Sequence, residues 1–130
     1  MPSLFLFLGA FSALTGIGLG AFGAHGLKAM LSPDLLAVYQ TGVTYQMWHA
    51  LGLILITLIR QHAPNSKLLS WAGWLMFAGI LLFSGSLYLL VLLDLKWMGM
   101  ITPIGGISFL TAWFLIALFA VKKPHHNRYT

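Results

Sequence analysis

The sequence predicts an all-α, polytopic membrane protein: a four-transmembrane-helix bundle with both termini on the cytoplasmic side. Three observations carry this expectation. Hydrophobic residues make up 59% of the chain, mean hydropathy is +0.89, and only 7% of residues are charged, a balance far from that of a soluble domain. The apolar residues gather in stretches at 4–22, 43–59, 68–93 and 100–121. At ~1.5 Å per residue each can cross a hydrocarbon core of about 30 Å. The charges fall between these stretches and are distributed unequally. Arg60, Lys67, Lys122, Lys123 and Arg128 share one side with the N-terminus, whereas Lys28 and Lys96 lie on the other with both acids, Asp34 and Asp94. Basic residues collect on the cytoplasmic side, which sets the orientation.

The first helix is expected over 4–24. Met1-Pro2-Ser3 carries no Lys or Arg and the apolar run continues for a full span, so a transmembrane helix is expected here and not a cleaved signal peptide. Ser12, Gly16, Gly20 and Ala24 are spaced four apart along it and form a seam of small residues that lets another backbone approach closely. Two uses of the seam are open, packing within the monomer and homodimerisation. His25 stands at the outer end, where a donor or cation near the last carbonyls of a helix is favourable.

The second helix, 33–60, opens on Ser32-Pro33-Asp34: an N-cap serine, a proline in the first turn and an acid near the positive end of the helix dipole. Its length of ~42 Å exceeds the core, so its first turns are expected in the outer interface or tilted, with Tyr39 and Tyr45 at that interface. The turn Ala63-Pro64-Asn65-Ser66 leads into the third helix, 68–93, bounded by Trp71 and Trp74 on the inner side and Trp97 on the outer. Asp94 and Lys96 end it. Thr102-Pro103 opens the fourth helix, 102–121, unless Pro103 kinks a helix already under way; Gly105-Gly106 permits a close approach early in it. Residues 122–130 form a basic cytoplasmic tail, Lys122-Lys123-Pro124-His125-His126-Asn127-Arg128, of a kind that can attract anionic lipid or nucleic acid; it is read as the topological anchor alone, and no nucleic-acid partner is expected. Four spans leave no room for a second domain.

Placed in register, the helices bring polar side chains to one depth in the outer half. His49, Tyr45 and Gln46 come from helix two, Ser84 and Tyr88 from helix three, Ser108 and Thr111 from helix four, and Thr15 from helix one. The inner half is nearly pure hydrocarbon. An ionisable side chain inside a membrane is costly and faces the bundle, a partner or water. Three roles compete for His49: a neutral imidazole bonded across helices to a Ser or Tyr hydroxyl, a protonatable or ligand-binding group in an outward cavity, or a metal or haem ligand. For the last, His25 is the only plausible second imidazole and is read instead as capping helix one, while His62, His125 and His126 belong to the other side, so no metal or cofactor is expected. With no cysteine there is no disulfide, thiolate site or cysteine nucleophile. No carboxylate lies within a span, and neither a paired-carboxylate set nor a phosphate-cradling glycine loop is present. Enzymatic chemistry is therefore the weakest class.

Specific strings carry a resemblance. They are Gly20-Ala21-Phe22-Gly23-Ala24-His25-Gly26-Leu27; Tyr39-Gln40-Thr41-Gly42 with Tyr45-Gln46 and His49; Phe83-Ser84-Gly85-Ser86-Leu87-Tyr88; and Thr102-Pro103-Ile104-Gly105-Gly106. In this order, over nearly the whole chain, they resemble the YgdD-type family of small four-helix membrane proteins. The resemblance implies a multi-pass protein of the bacterial inner membrane, similar to small eukaryotic membrane proteins, in a family of unknown function with no assigned catalytic residues. The leading expectation is a non-enzymatic accessory, assembly or lipid- or protein-binding subunit, with membrane lipid, a second copy or another membrane protein as partner and helix one as the contact seam. The alternative is a small-solute or proton carrier or channel that uses the outer polar cluster around His49.

Overall fold

The computed structural model describes residues 3–122, so Lys123, His125, His126 and Arg128 of the tail lie outside the described residues. Four helices are long and apolar enough to cross a membrane: α1 (Leu4–Leu27), α2 (Pro33–Arg60), α3 (Lys67–Leu92) and α4 (Thr102–Val121), the last preceded by a 3₁₀ turn at Lys96–Met100. Among the described residues there is no strand. Helices α1, α2 and α3 each start on a serine. Ser3, Ser32 and Ser66 each accept, through Oγ, the N–H three residues on, which satisfies one of the amides left unpaired at a helix start. Because the 3₁₀ turn absorbs the approach to α4, Pro103 sits in that helix's first turn and does not kink a longer helix.

Helices α2 and α3 form the centre, with α1 packed mainly on α2 and α4 mainly on α3. The inner half of the bundle is dry. Phe5, Leu53, Ile56, Leu69, Ala72, Met76 and Ala112 are almost wholly buried there. Glycines act as sockets for large side chains: the Phe5 ring lies where a Gly73 Cβ would stand, and Phe109 occupies the same position at Gly79. The Arg60 guanidinium lies over the Phe5 ring, 5.3 Å from its centroid, with Nε buried and unpartnered.

The small-residue seam of α1 faces α2. A Cβ at Gly9 would stand 2.9 Å from the Ala50 carbonyl oxygen, and one at Gly20 3.2 Å from Val43. Ser12 and Gly16 are buried, Gly20 is half-buried and Ala24 is exposed. The reason is helical geometry: at 3.6 residues per turn each four-residue step overshoots by about 40°, so Ala24 lies roughly 120° around the helix from Ser12. The buried stripe instead runs through Phe5, Gly9, Ser12, Gly16, Gly23 and Leu27.

Two π-helical turns interrupt the spans, Gly23–Leu27 in α1 and Ile80–Ser84 in α3. The second brings the α3 backbone against α4 at Gly105, where a Cβ would stand 2.3 Å from the Phe83 nitrogen. The bend after α3 places Asp94 at φ 53, the sole non-glycine in the left-handed region among the described residues.

Candidate functional site

The polar residues of the outer half do not form one cluster; the structure divides them into an interhelical lock and a separate imidazole–indole pair. Gln46 is the hub of the lock. Its Nε2 donates to the Ser12 carbonyl (2.8 Å) and to Thr15 Oγ1 (2.9 Å) on α1, while its Oε1 accepts from Tyr88 OH (2.6 Å) on α3. One side chain of α2 thereby ties three helices. Ser84 Oγ donates to the Gly42 carbonyl at 2.6 Å, and Ser86 Oγ meets Thr102 Oγ1 at 2.5 Å. Nearer the middle, Ser108 Oγ donates to the Leu75 carbonyl at 2.6 Å.

Tyr39 also belongs to the lock. Sequence position suggested the outer interface, yet Tyr39 is fully buried, packs against the Tyr88 ring and donates its hydroxyl to the Leu19 carbonyl at 2.5 Å. It fits because Gly23 leaves the ring its space. Tyr45 is half-buried, and its ring lies against Phe83 with centroids 4.6 Å apart. Thr111 bonds only its own helix, to the Ile107 carbonyl, and takes no part in either group. His25 is exposed on the π turn of α1, and the bonds closing that end are made by the Met30 and Leu31 N–H groups to the Leu27 carbonyl.

His49 is 3% exposed and bonded at both nitrogens. Nδ1 lies 2.7 Å from the Tyr45 carbonyl, and Nε2 lies 2.9 Å from Trp113 Nε1. An indole N–H can only donate and a carbonyl can only accept. The imidazole therefore carries its proton on Nδ1 and accepts at Nε2, a neutral tautomer fixed by its two neighbours. A second proton would set two N–H donors face to face. The partner is thus an indole and not a Ser or Tyr hydroxyl. Trp113 is the functional side chain that sequence reasoning missed. The signal available was an indole, a donor-only group, close in the chain to Ser108 and Thr111 of helix four, which were already placed at the depth of His49.

The pair lines a groove of about 480 Å³ between α2 and α4. Its walls are aromatic: Tyr45, Trp48, Phe83, Phe109 and Trp113, with Gly106 at the floor. Phe109 stacks on the His49 ring at 3.5 Å between centroids, which covers the imidazole's flat face. Among the described residues no three of His, Asp or Glu converge on a metal-sized site.

This architecture, four apolar helices around paired polar side chains, defines a small multi-pass integral membrane protein. The chain belongs to the family described as Protein of unknown function (DUF423), whose model matches residues 19–106. It is 48% identical over 119 residues to the UPF0382 membrane protein YwdK of Bacillus subtilis, covering 92% of this chain and 97% of that protein. Similar relatives are the UPF0382 membrane proteins SAB0533 of Staphylococcus aureus, 48% identical, and SERP0230 of Staphylococcus epidermidis, 45% identical; each alignment covers 92% of this chain and 96% of the relative. No solved structure matches the chain. The resemblance drawn from the sequence holds: this is a small membrane family of unknown function.

Proposed function

We propose that this protein is a non-enzymatic accessory protein of the bacterial plasma membrane that binds the hydrocarbon chain of a lipid in the α2–α4 groove, with both termini in the cytoplasm. The groove carries this reading. It lies between two spans and is lined almost wholly by apolar side chains, its volume lies within the ~300–1,000 Å³ range of small-molecule sites, and rigid aromatic walls accept a chain at little cost in side-chain entropy. The seam of α1, the contact surface first expected, packs against α2 within the monomer.

Carriage of a proton or solute through the monomer has less support. The polar groups at the depth of His49 are bonded to one another or to backbone, and the half of the bundle below them is filled with apolar side chains. A hydrophilic path would have to break both.

The reading is tested with a phospholipid bearing a diazirine along its acyl chain, irradiated with the protein in liposomes and mapped by peptide mass spectrometry. Label is expected to concentrate on Trp48, Ile107 and Leu110 over Phe11 and Leu14, which are equally exposed on α1. Gly106→Leu, at a position where a Cβ would meet only the Phe83 ring, at an ordinary contact distance of 3.9 Å, fills the groove and should remove the excess. Even labelling of all faces, unchanged by that substitution, refutes the proposal.

A further inference from the structure

At the opposite, basic end of the bundle a second and larger cavity, about 1060 Å³, lies between the α2–α3 turn and the end of α4. His62, Asn65, Lys67 and Lys122 line it together with the apolar side chains of Ile59 and Phe119. We infer that this cavity seats the phosphate of an anionic lipid headgroup, with the glycerol and upper acyl chain running down over Ile59 and Phe119. The inference stands independently of the groove, which lies at the other end of α4.

Charge decides the ligand's sign. The only two acidic residues of the sequence, Asp34 and Asp94, begin α2 and follow α3, and both therefore lie at the far end of the bundle. No side-chain carboxylate competes for Lys67 or Lys122. The cavity also includes the start of α3, whose first amides, at Lys67 and Leu68, precede the first intrahelical bond from Ser70 N–H to the Ser66 carbonyl. Amides at a helix start have no partner within the helix and favour an anion. The two lysines come from separate elements, the start of α3 and the residue that follows α4, and both line the cavity. The apolar lining decides the source: a free phosphate has no use for Ile59 and Phe119, whereas a phospholipid does.

The test is native mass spectrometry of the full-length chain titrated with phosphatidylglycerol or phosphatidylcholine, repeated in excess inorganic phosphate. Phosphatidylglycerol should be retained preferentially by on the order of tenfold or more, the scale set by two lysines at a membrane surface. The double variant Lys67→Gln/Lys122→Gln should lose that preference, Lys67→Arg/Lys122→Arg should keep it, and the tail variant Lys123→Gln/Arg128→Gln should keep most of it. Thermal unfolding checks that each variant is folded. Equal retention of the two lipids overturns the inference, as does a preference that survives the pocket variant. Loss of preference in the tail variant alone assigns the effect to the tail, either as diffuse charge or as an occupant of the cavity, and overturns it as well. Inorganic phosphate that binds by itself and displaces the lipid would make this a soluble-anion site instead.

Discussion

Gly105 is where α3 and α4 approach most closely, and a single methyl there tests the geometry of the outer half. In Gly105→Ala the new Cβ would lie 2.3 Å from the Phe83 nitrogen, 2.7 Å from its Cα and 2.8 Å from the Leu82 carbonyl carbon, all backbone atoms. Ordinary contact begins at 3.4 Å, so the helices must separate by about 1 Å. A gap of that size forfeits up to about half of each dispersion well. If on the order of 40 pairs of ~0.15 kcal/mol cross the seam, losing a third of that attraction costs about 2 kcal/mol. The Ser108–Leu75 bond, 2.6 Å long, lies one turn along α4 and would stretch past hydrogen-bond length. Such bonds contribute ~0.6 kcal/mol on average and up to about 1.7 within a membrane. Alanine returns about 1 kcal/mol of helix propensity. The net expectation is a destabilisation of about 2 kcal/mol. Gly85→Ala is the control, since nothing lies within 4 Å of a Cβ at that position, and it should be neutral or stabilising. Denaturant unfolding in detergent micelles, followed by tryptophan fluorescence, compares the two. Equal stability of Gly105→Ala and Gly85→Ala would refute the close approach of α4 to the π turn.

Two further substitutions probe single features. Trp113→Phe keeps the ring but removes the N–H that His49 Nε2 accepts, and should cost ~0.6–1.7 kcal/mol, the range of interhelical bonds in membranes; an unchanged unfolding midpoint would dissociate the two residues. Asp94→Gly relieves a side chain held at φ 53 and should raise stability by about 0.5–1 kcal/mol, whereas Asp94→Val, β-branched in the same conformation, should lower it. Thermal melts of the three proteins should rank glycine first and valine last.

The sequence by itself determined the four spans, the helix starts and the family. Apolar length and serine caps are local properties, and the bilayer permits few alternatives to a hydrogen-bonded helix for a chain this apolar. Helix two is legible at both ends, Pro33 and Arg60, because the serine cap and first-turn proline mark its start and the arginine its end, each a local signal. The depth of the polar residues also followed from register. Their partners did not, because depth fixes how far along a helix a side chain lies and leaves its azimuth open. Tertiary structure alone decided that Gln46 turns toward Ser12 and Tyr88 while His49, three residues on, turns toward Trp113. It decided that Tyr39 enters the core. It also placed π turns at Gly23–Leu27 and Ile80–Ser84, which re-aim the outer half of each helix. Each of these depends on which helix stands beside which, and in a bundle whose helices are apolar on nearly every side, that choice is made by packing shape and interhelical hydrogen bonds, which hydrophobic periodicity does not record.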